Sequence, residues 1–368
     1  MIWLTWRQFR LQVASAAGVV AVFAAILGVT GPNLASLFTS SRIGSCYGGP
    51  DKCGAFANQF LTQLYEGSGI ASWTVTNLGG YWPLYVFGIV VILAAPAVIG
   101  IFWGAPLIAG EFEAGTHHLV WTQSITRTRW LAIKLTLIGL AAMAVTEALS
   151  LMQAWWATPI SLTVARGGCC SPMAMNQFSP LVFATHGITP LGYTAFAFVL
   201  GVTVGVLVRR AVPAMALSLA IFALLQVAMP LWVRPHLFTP DRTLTTLSSW
   251  ASVDVLASIE VPGQGGQFTV SPYGFSQPEA WILSTSGAVN TAGEPVSILP
   301  TACLPGGSGK ADQSALLDCL DSHGVRIGVT YQPASRYWAF QWTETAIYAA
   351  LALAMVGYCF WRIRRRLS

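Results

Sequence analysis

Charge is what this sequence has least of. Asp, Glu, Lys and Arg together make up 9% of the 368 residues, against 54% hydrophobic ones, too few polar groups to cover a water-soluble globule of this size. Strict apolar–polar alternation is missing as well, and this excludes a closed barrel of strands. Continuous apolar runs remain, and they read as helices that each need roughly 20 mostly apolar residues to cross a bilayer. Catalytic patterns are also absent: there is no H-E-x-x-H, no convincing nucleophile and base pair, and no repeat evident by eye. GGSGK at Gly306 to Lys310 resembles a phosphate loop, but Leu304 stands where its first glycine belongs and Ala311 where its hydroxyl belongs. The chain is therefore read as a non-enzyme with no ATPase motor, catalytic site or metal site of its own.

Six runs are long enough to span: Val13 to Gly31, Pro83 to Ala109, Trp130 to Trp156, Gly187 to Val208, Ala211 to Val233, and Glu344 to Trp361. The fold class expected is an all-α membrane protein of six transmembrane helices, with a small mixed α/β extracellular domain between helices five and six. Residues 1–12 read as an amphipathic interfacial helix, with Ile2, Trp6, Phe9 and Val13 on one face. Residues 13–233 hold helices one to five, 234–343 the extracellular domain, and 344–368 the sixth helix with a basic tail. Loops are expected from Pro32 to Trp82 and from Ala157 to His186. Inside the large insert, Gln267 to Val270, Trp281 to Thr285 and Val325 to Thr330 read as strands, and Ser314 to Asp321 as a helix.

Lys and Arg collect in cytoplasmic loops. One assignment puts Arg7, Arg10, Arg127, Arg129, Lys134, Arg209, Arg210, Arg362, Arg364, Arg365 and Arg366 on one side, opposed only by Glu111 and Glu113, which makes both termini cytoplasmic. Because these cations hug the span ends, the formal charge of +5 fits anionic lipid rather than nucleic acid. The first apolar run exceeds the usual length of a signal-peptide core, so it is read as a retained span. Cys46, Cys53, Cys169, Cys170, Cys303 and Cys319 all fall outside, where disulfides persist. Cys303 with Cys319, then Cys46 with Cys53, are the candidate pairs; bridges from Cys46 or Cys53 to Cys169 or Cys170 stay open.

Polar groups inside the spans are few. Glu147 in span three must face the bundle or a wet cavity, either bonding a neighbouring helix or handling a substrate. In span five, Met215, Leu219, Phe222, Gln226 and Met229 form one stripe, which serves either helix packing or an adaptable substrate path through Phe222, Gln226 and Met229. Between spans two and three lies a polar island, GEFEAGTHHLVWTQSITRTRWLAIK, from Gly110 to Lys134. Glu113 and His117 share a helical face at i, i+4, but Gly115 weakens that helix, and a polar surface explains them without a metal.

The island resembles the cytoplasmic segment of permease subunits of ABC-type exporters: an acidic pair, Gly-Thr, an apolar stretch, Ser/Thr, Arg, then Lys. Here these are Glu111, Glu113, Gly115, Thr116, Leu119 to Trp121, Ser124, Arg127 and Lys134. The opening WLTWRQFR, the run TRTRWLAIK, Arg209-Arg210 and SRYWAFQW resemble permeases of high-GC Gram-positive bacteria, as does the excess of arginine over lysine. The resemblance implies an ABCG-like six-span fold in a bacterial plasma membrane, a second permease subunit, most simply a homodimer, and a path lined partly by spans two and five. It implies a coupling helix within 110–129, with Glu111, Glu113, Gly115, Thr116, Leu119, Trp121, Ile125 and Arg127 meeting a separate ATPase that binds ATP and Mg. The expected cargo is hydrophobic or amphiphilic: a drug, a lipid or a peptide-like molecule. The competing reading is a non-transporting membrane sensor or scaffold whose extracellular domain binds a ligand.

Overall fold

The computed structural model describes residues 2–46, 50–66, 81–113, 126–168, 175–258, 267–275, 279–296, 303 and 313–366. Among them six helices are long and apolar enough to cross a membrane: Phe9–Ser40, Tyr81–Gly110, Thr128–Ala165, Thr189–Val208, Ala211–His236 and Ala334–Arg362. They match the six apolar runs, and are called spans one to six below. Several reach well past the apolar residues. The first helix runs unbroken over Ile2–Ser40, 39 residues, about 58 Å at 1.5 Å per residue, and so absorbs residues 2–12 and continues through Pro32. Thr30 helps it there: its hydroxyl donates to the Ile26 carbonyl at 2.8 Å and accepts from the Trp156 indole at 2.9 Å, tying span one to span three.

The expectation of a loop from Pro32 to Trp82 needs correction, because Pro50–Glu66 is a helix. Cys53, Ala57, Phe60, Leu61 and Leu64 recur at i, i+4, i+7, i+8 and i+11, and all are buried beside Leu34 and Phe38 of span one and Ile160 and Val164 of span three. That spacing is a helical stripe, diluted in the sequence by the small polar residues around it. A Cys46–Cys53 disulfide pins the helix start to the end of span one.

Span four is the central helix, buried along most of its length. Glycines bring it against span two. A Cβ on Gly100 would lie 2.7 Å from the Ala197 carbonyl oxygen, one on Gly205 2.6 Å from that of Ala105, and one on Gly201 would overlap the Gly100 carbonyl. Backbones this close need small residues at i, i+4, which is how helices associate where no hydrophobic effect acts between them. Two spans carry a π-helical turn: span two at Gly100–Gly104 and span five at Met229–Val233.

Between spans five and six, strands β1 (Asp241–Thr245), β4 (Trp281–Val289) and β5 (Arg326–Gln332) form an antiparallel sheet with β5 in the middle. Strands β2 (Trp250–Ser258) and β3 (Gln267–Phe275) pair as a hairpin. The three strands and the helix expected here are present, the helix as Gln313–Ser322; β1 and β2 were not foreseen. Ile327, Val329 and Tyr331 alternate inward from β5 onto Leu247, Trp250 and Leu320. A Cys303–Cys319 disulfide closes the same core.

Aromatic residues attach this sheet domain to the bundle. Phe178, Phe183 and Phe340 are buried, with Trp281 of β4 stacked 5.9 Å from Phe178. The Gln341 side chain fastens the head of span six to the start of span four, accepting from the Ile188 and Thr189 amides at 3.1 Å each and donating to the His186 carbonyl at 3.1 Å.

Candidate functional site

The two described ends of the polar island, at Glu113 and Thr126, lie at the end of the bundle opposite the sheet domain. Helix Ala105–Glu113 continues span two, and Arg127 opens the helix of span three, whose N-cap Thr126 accepts from the Arg129 amide at 3.4 Å. Glu111 lies in the last turn of the first helix. Gly115, Thr116, Leu119, Trp121 and Ile125 fall outside the described residues, as do His117 and the GGSGK segment.

Glu113 ties the island to a distant span. Its carboxylate accepts the Ala211 amide, the first of span five, at 3.1 Å. That amide is one of the donors that a helix leaves unpaired at its N-terminus, where the macrodipole favours an anion. Arg209 prepares the junction: in the left-handed conformation, φ 57°, it ends span four, its amide donating to the Gly205 carbonyl at 3.0 Å. The end of span two is thus hydrogen-bonded to span five and glycine-packed on span four. Lys134 is buried, with its ammonium 4.8 Å from the Trp130 ring centroid. Phe9 meets Trp103 edge-on at 4.7 Å, and Gln12 donates to the Phe102 carbonyl at 3.3 Å, so the N-terminal helix packs on span two's π turn.

The stripe on span five divides. Phe222 is buried and stacks on Phe196 of span four at 6.4 Å, and Met229, also buried, opens the π turn. Gln226 is half-buried, with its side-chain oxygen enclosed and without a hydrogen-bond partner among the described residues. Glu147 is in the same state: half-buried, one carboxylate oxygen enclosed and unpartnered among the described residues. An unpaired polar atom in the bilayer interior is costly, and Gln153 and Thr345, also within spans, carry such atoms too.

Sequence reasoning passed over one buried cluster. Arg234, at the end of span five, and Glu344, at the head of span six, are 1% and 0% exposed and form a bidentate pair: Nε to Oε2 at 2.9 Å and Nη2 to Oε1 at 3.0 Å. The Tyr193 hydroxyl donates to Oε1, and the guanidinium lies 3.9 Å from the Phe183 ring centroid. Two opposite charges at the ends of the two apolar runs that the insert joins were the available signal. They read as domain boundaries because a charge beside a run ordinarily marks its exit into water.

The family model described as ABC-2 membrane transporter related matches residues 17–234, more than half of the chain and spans one to five. No curated protein and no solved structure matches it.

Proposed function

The chain belongs to the ABC-2 membrane transporter related family, and on that premise we propose that it is the permease subunit of an ATP-driven exporter whose motor is a separate ATPase subunit holding ATP and Mg. In this reading the island end and both termini are cytoplasmic, the sheet domain is outside, the membrane is a bacterial plasma membrane, and the motor docks on residues 110–129. The carrying observation is the Glu113–Ala211 hydrogen bond, which gives a push on the island a direct route to span five. Span four moves with them, because its glycine contacts on span two leave no room for sliding.

Spans two and five carry the π turns, and such irregularities recur where helices must do more than span. A cargo path between them, passing Phe222, Gln226 and Met229, would offer an aromatic ring, an amide and a thioether to a hydrophobic or amphiphilic molecule. Exposed Val212, Leu224, Val227 and Leu231 on span five suit either lipid or a second copy of the chain, and pairing of two copies completes the reading.

The test replaces Trp121 and Ile125 by Asp in the permease copurified with its ATPase. Coupled transport is expected to fall at least tenfold, along with the rise in ATP hydrolysis that the permease induces. An intact complex that transports as before would reject the docking assignment.

A further inference from the structure

A cavity of about 260 Å³ opens at the sheet-domain end of the bundle, bounded by Tyr85 of span two, Ser161 of span three, Gln177 and His186 of the connector between spans three and four, Glu279, and Tyr337 at the start of span six. Glu279 is the charged member of this wall. It is half-buried, and its carboxylate has no hydrogen-bond or ion-pair partner among the described residues. Nearby cations are already engaged: Arg234 with Glu344, and Arg336 with Asp241 at 2.9 Å.

The backbone makes the choice of residue at 279 informative. Glu279 adopts φ 64°, a conformation that glycine takes without strain and a glutamate does not. The two residues that follow are held in place: the Asn176 amide donates to the Ala280 carbonyl at 2.7 Å, and Trp281 stacks on Phe178. A strained residue with an unpaired carboxylate, on the wall of a cavity, is the kind of backbone outlier that clusters at functional sites.

The remaining walls define the chemistry. His186 sets Nδ1 3.0 Å from both the Val182 carbonyl and the Thr185 hydroxyl. Burial lowers the His186 pKa, so the ring is neutral near pH 7. Among the described residues the cavity presents one carboxylate, the His186 ring and two phenol rings on a wall otherwise largely apolar, with Ala157, Ile160, Val164 and Val182, and no positive charge. One carboxylate among aromatic faces is too few oxygens for Ca²⁺ or Mg²⁺. It suits an organic cation, which aromatic faces and a carboxylate recognise together.

We propose that this cavity binds a small organic ammonium ion, with the Glu279 carboxylate as counter-ion and Tyr337 and Tyr85 packing its carbon groups. The site joins spans two, three and six to the sheet domain, so an occupant would draw these parts together. Such a site depends on neither the membrane orientation nor an ATPase partner, and is independent of the permease reading.

Calorimetric titration of the detergent-purified full chain at pH 7.5 tests this, using choline and its neutral carbon isostere 3,3-dimethyl-1-butanol. Choline is expected to bind at least tenfold more tightly than the isostere, and Glu279→Gln to remove that preference. Burial raises the Glu279 pKa, so choline binding should weaken as pH falls and the carboxylate is neutralised, with His186, Tyr85 and Tyr337 as the other titratable groups on the wall. Glu279→Gly separates fold from site: it relieves the strained φ, so the protein should melt at a higher temperature while losing choline. Equal binding of choline and isostere, or choline affinity unchanged in Glu279→Gly, would overturn the proposal.

Discussion

At the scale of single residues, the Arg234–Glu344 pair shows how a membrane protein can afford two charges away from water. Each oxygen of the carboxylate receives a guanidinium nitrogen, Tyr193 adds a further donor, and the Phe183 face covers the cation. A buried pair contributes little net stability, and here Nη1 of Arg234 has no partner among the described residues, but losing one member strands the other, at about 3–5 kcal/mol. Arg234→Met alone should therefore lower the melting temperature of the purified protein sharply, and Arg234→Met with Glu344→Leu should recover much of the loss. Equal losses in the single and double variants would mean that shape rather than charge holds the junction. None of this partnership was legible, because sequence shows that a charge flanks a span but not whether it turns outward to water or back into the bundle.

At the scale of elements, hydrophobic runs located the six spans because length and apolarity suffice for that. Their ends were harder, since a helix that leaves the hydrocarbon no longer needs apolar residues and Pro32 and Pro159 both lie within helices. Glycine contacts between spans two and four were not read as an interface: Gly100, Gly104, Gly201 and Gly205 have the right spacing, but glycine is common in spans, and Gly110 and Gly357 meet nothing within 4 Å. Gly201→Val should cost about 1–3 kcal/mol by overpacking, whereas Gly357→Val should leave the melting temperature almost unchanged. Similar melting temperatures for the two variants would dismiss the close approach as the feature that holds these helices.

For the molecule as a whole, the polar island was visible as an interruption between spans, and its resemblance to a coupling segment could be stated from Glu111 to Lys134. Its attachment to span five through Glu113 could not, because a hydrogen bond between residues 98 positions apart leaves no local pattern. Stability against pH is a property of the whole chain, and His186 gives it a sign. Burial lowers its pKa, so below about pH 6.5 the unfolded chain takes up a proton that the folded one refuses, and stability falls as pH drops. His186→Gln should flatten the melting-temperature profile between pH 7 and pH 5; an unaltered slope would assign the acid sensitivity elsewhere. The glycine seam between spans two and four also bears on how this gene can change. Every single-base change in a glycine codon that is neither silent nor a stop adds at least a β-carbon, so Gly100, Gly201 and Gly205 have no mild neighbour among possible mutations, and descendants of this chain can vary the exposed faces of these spans far more freely than the seam between them.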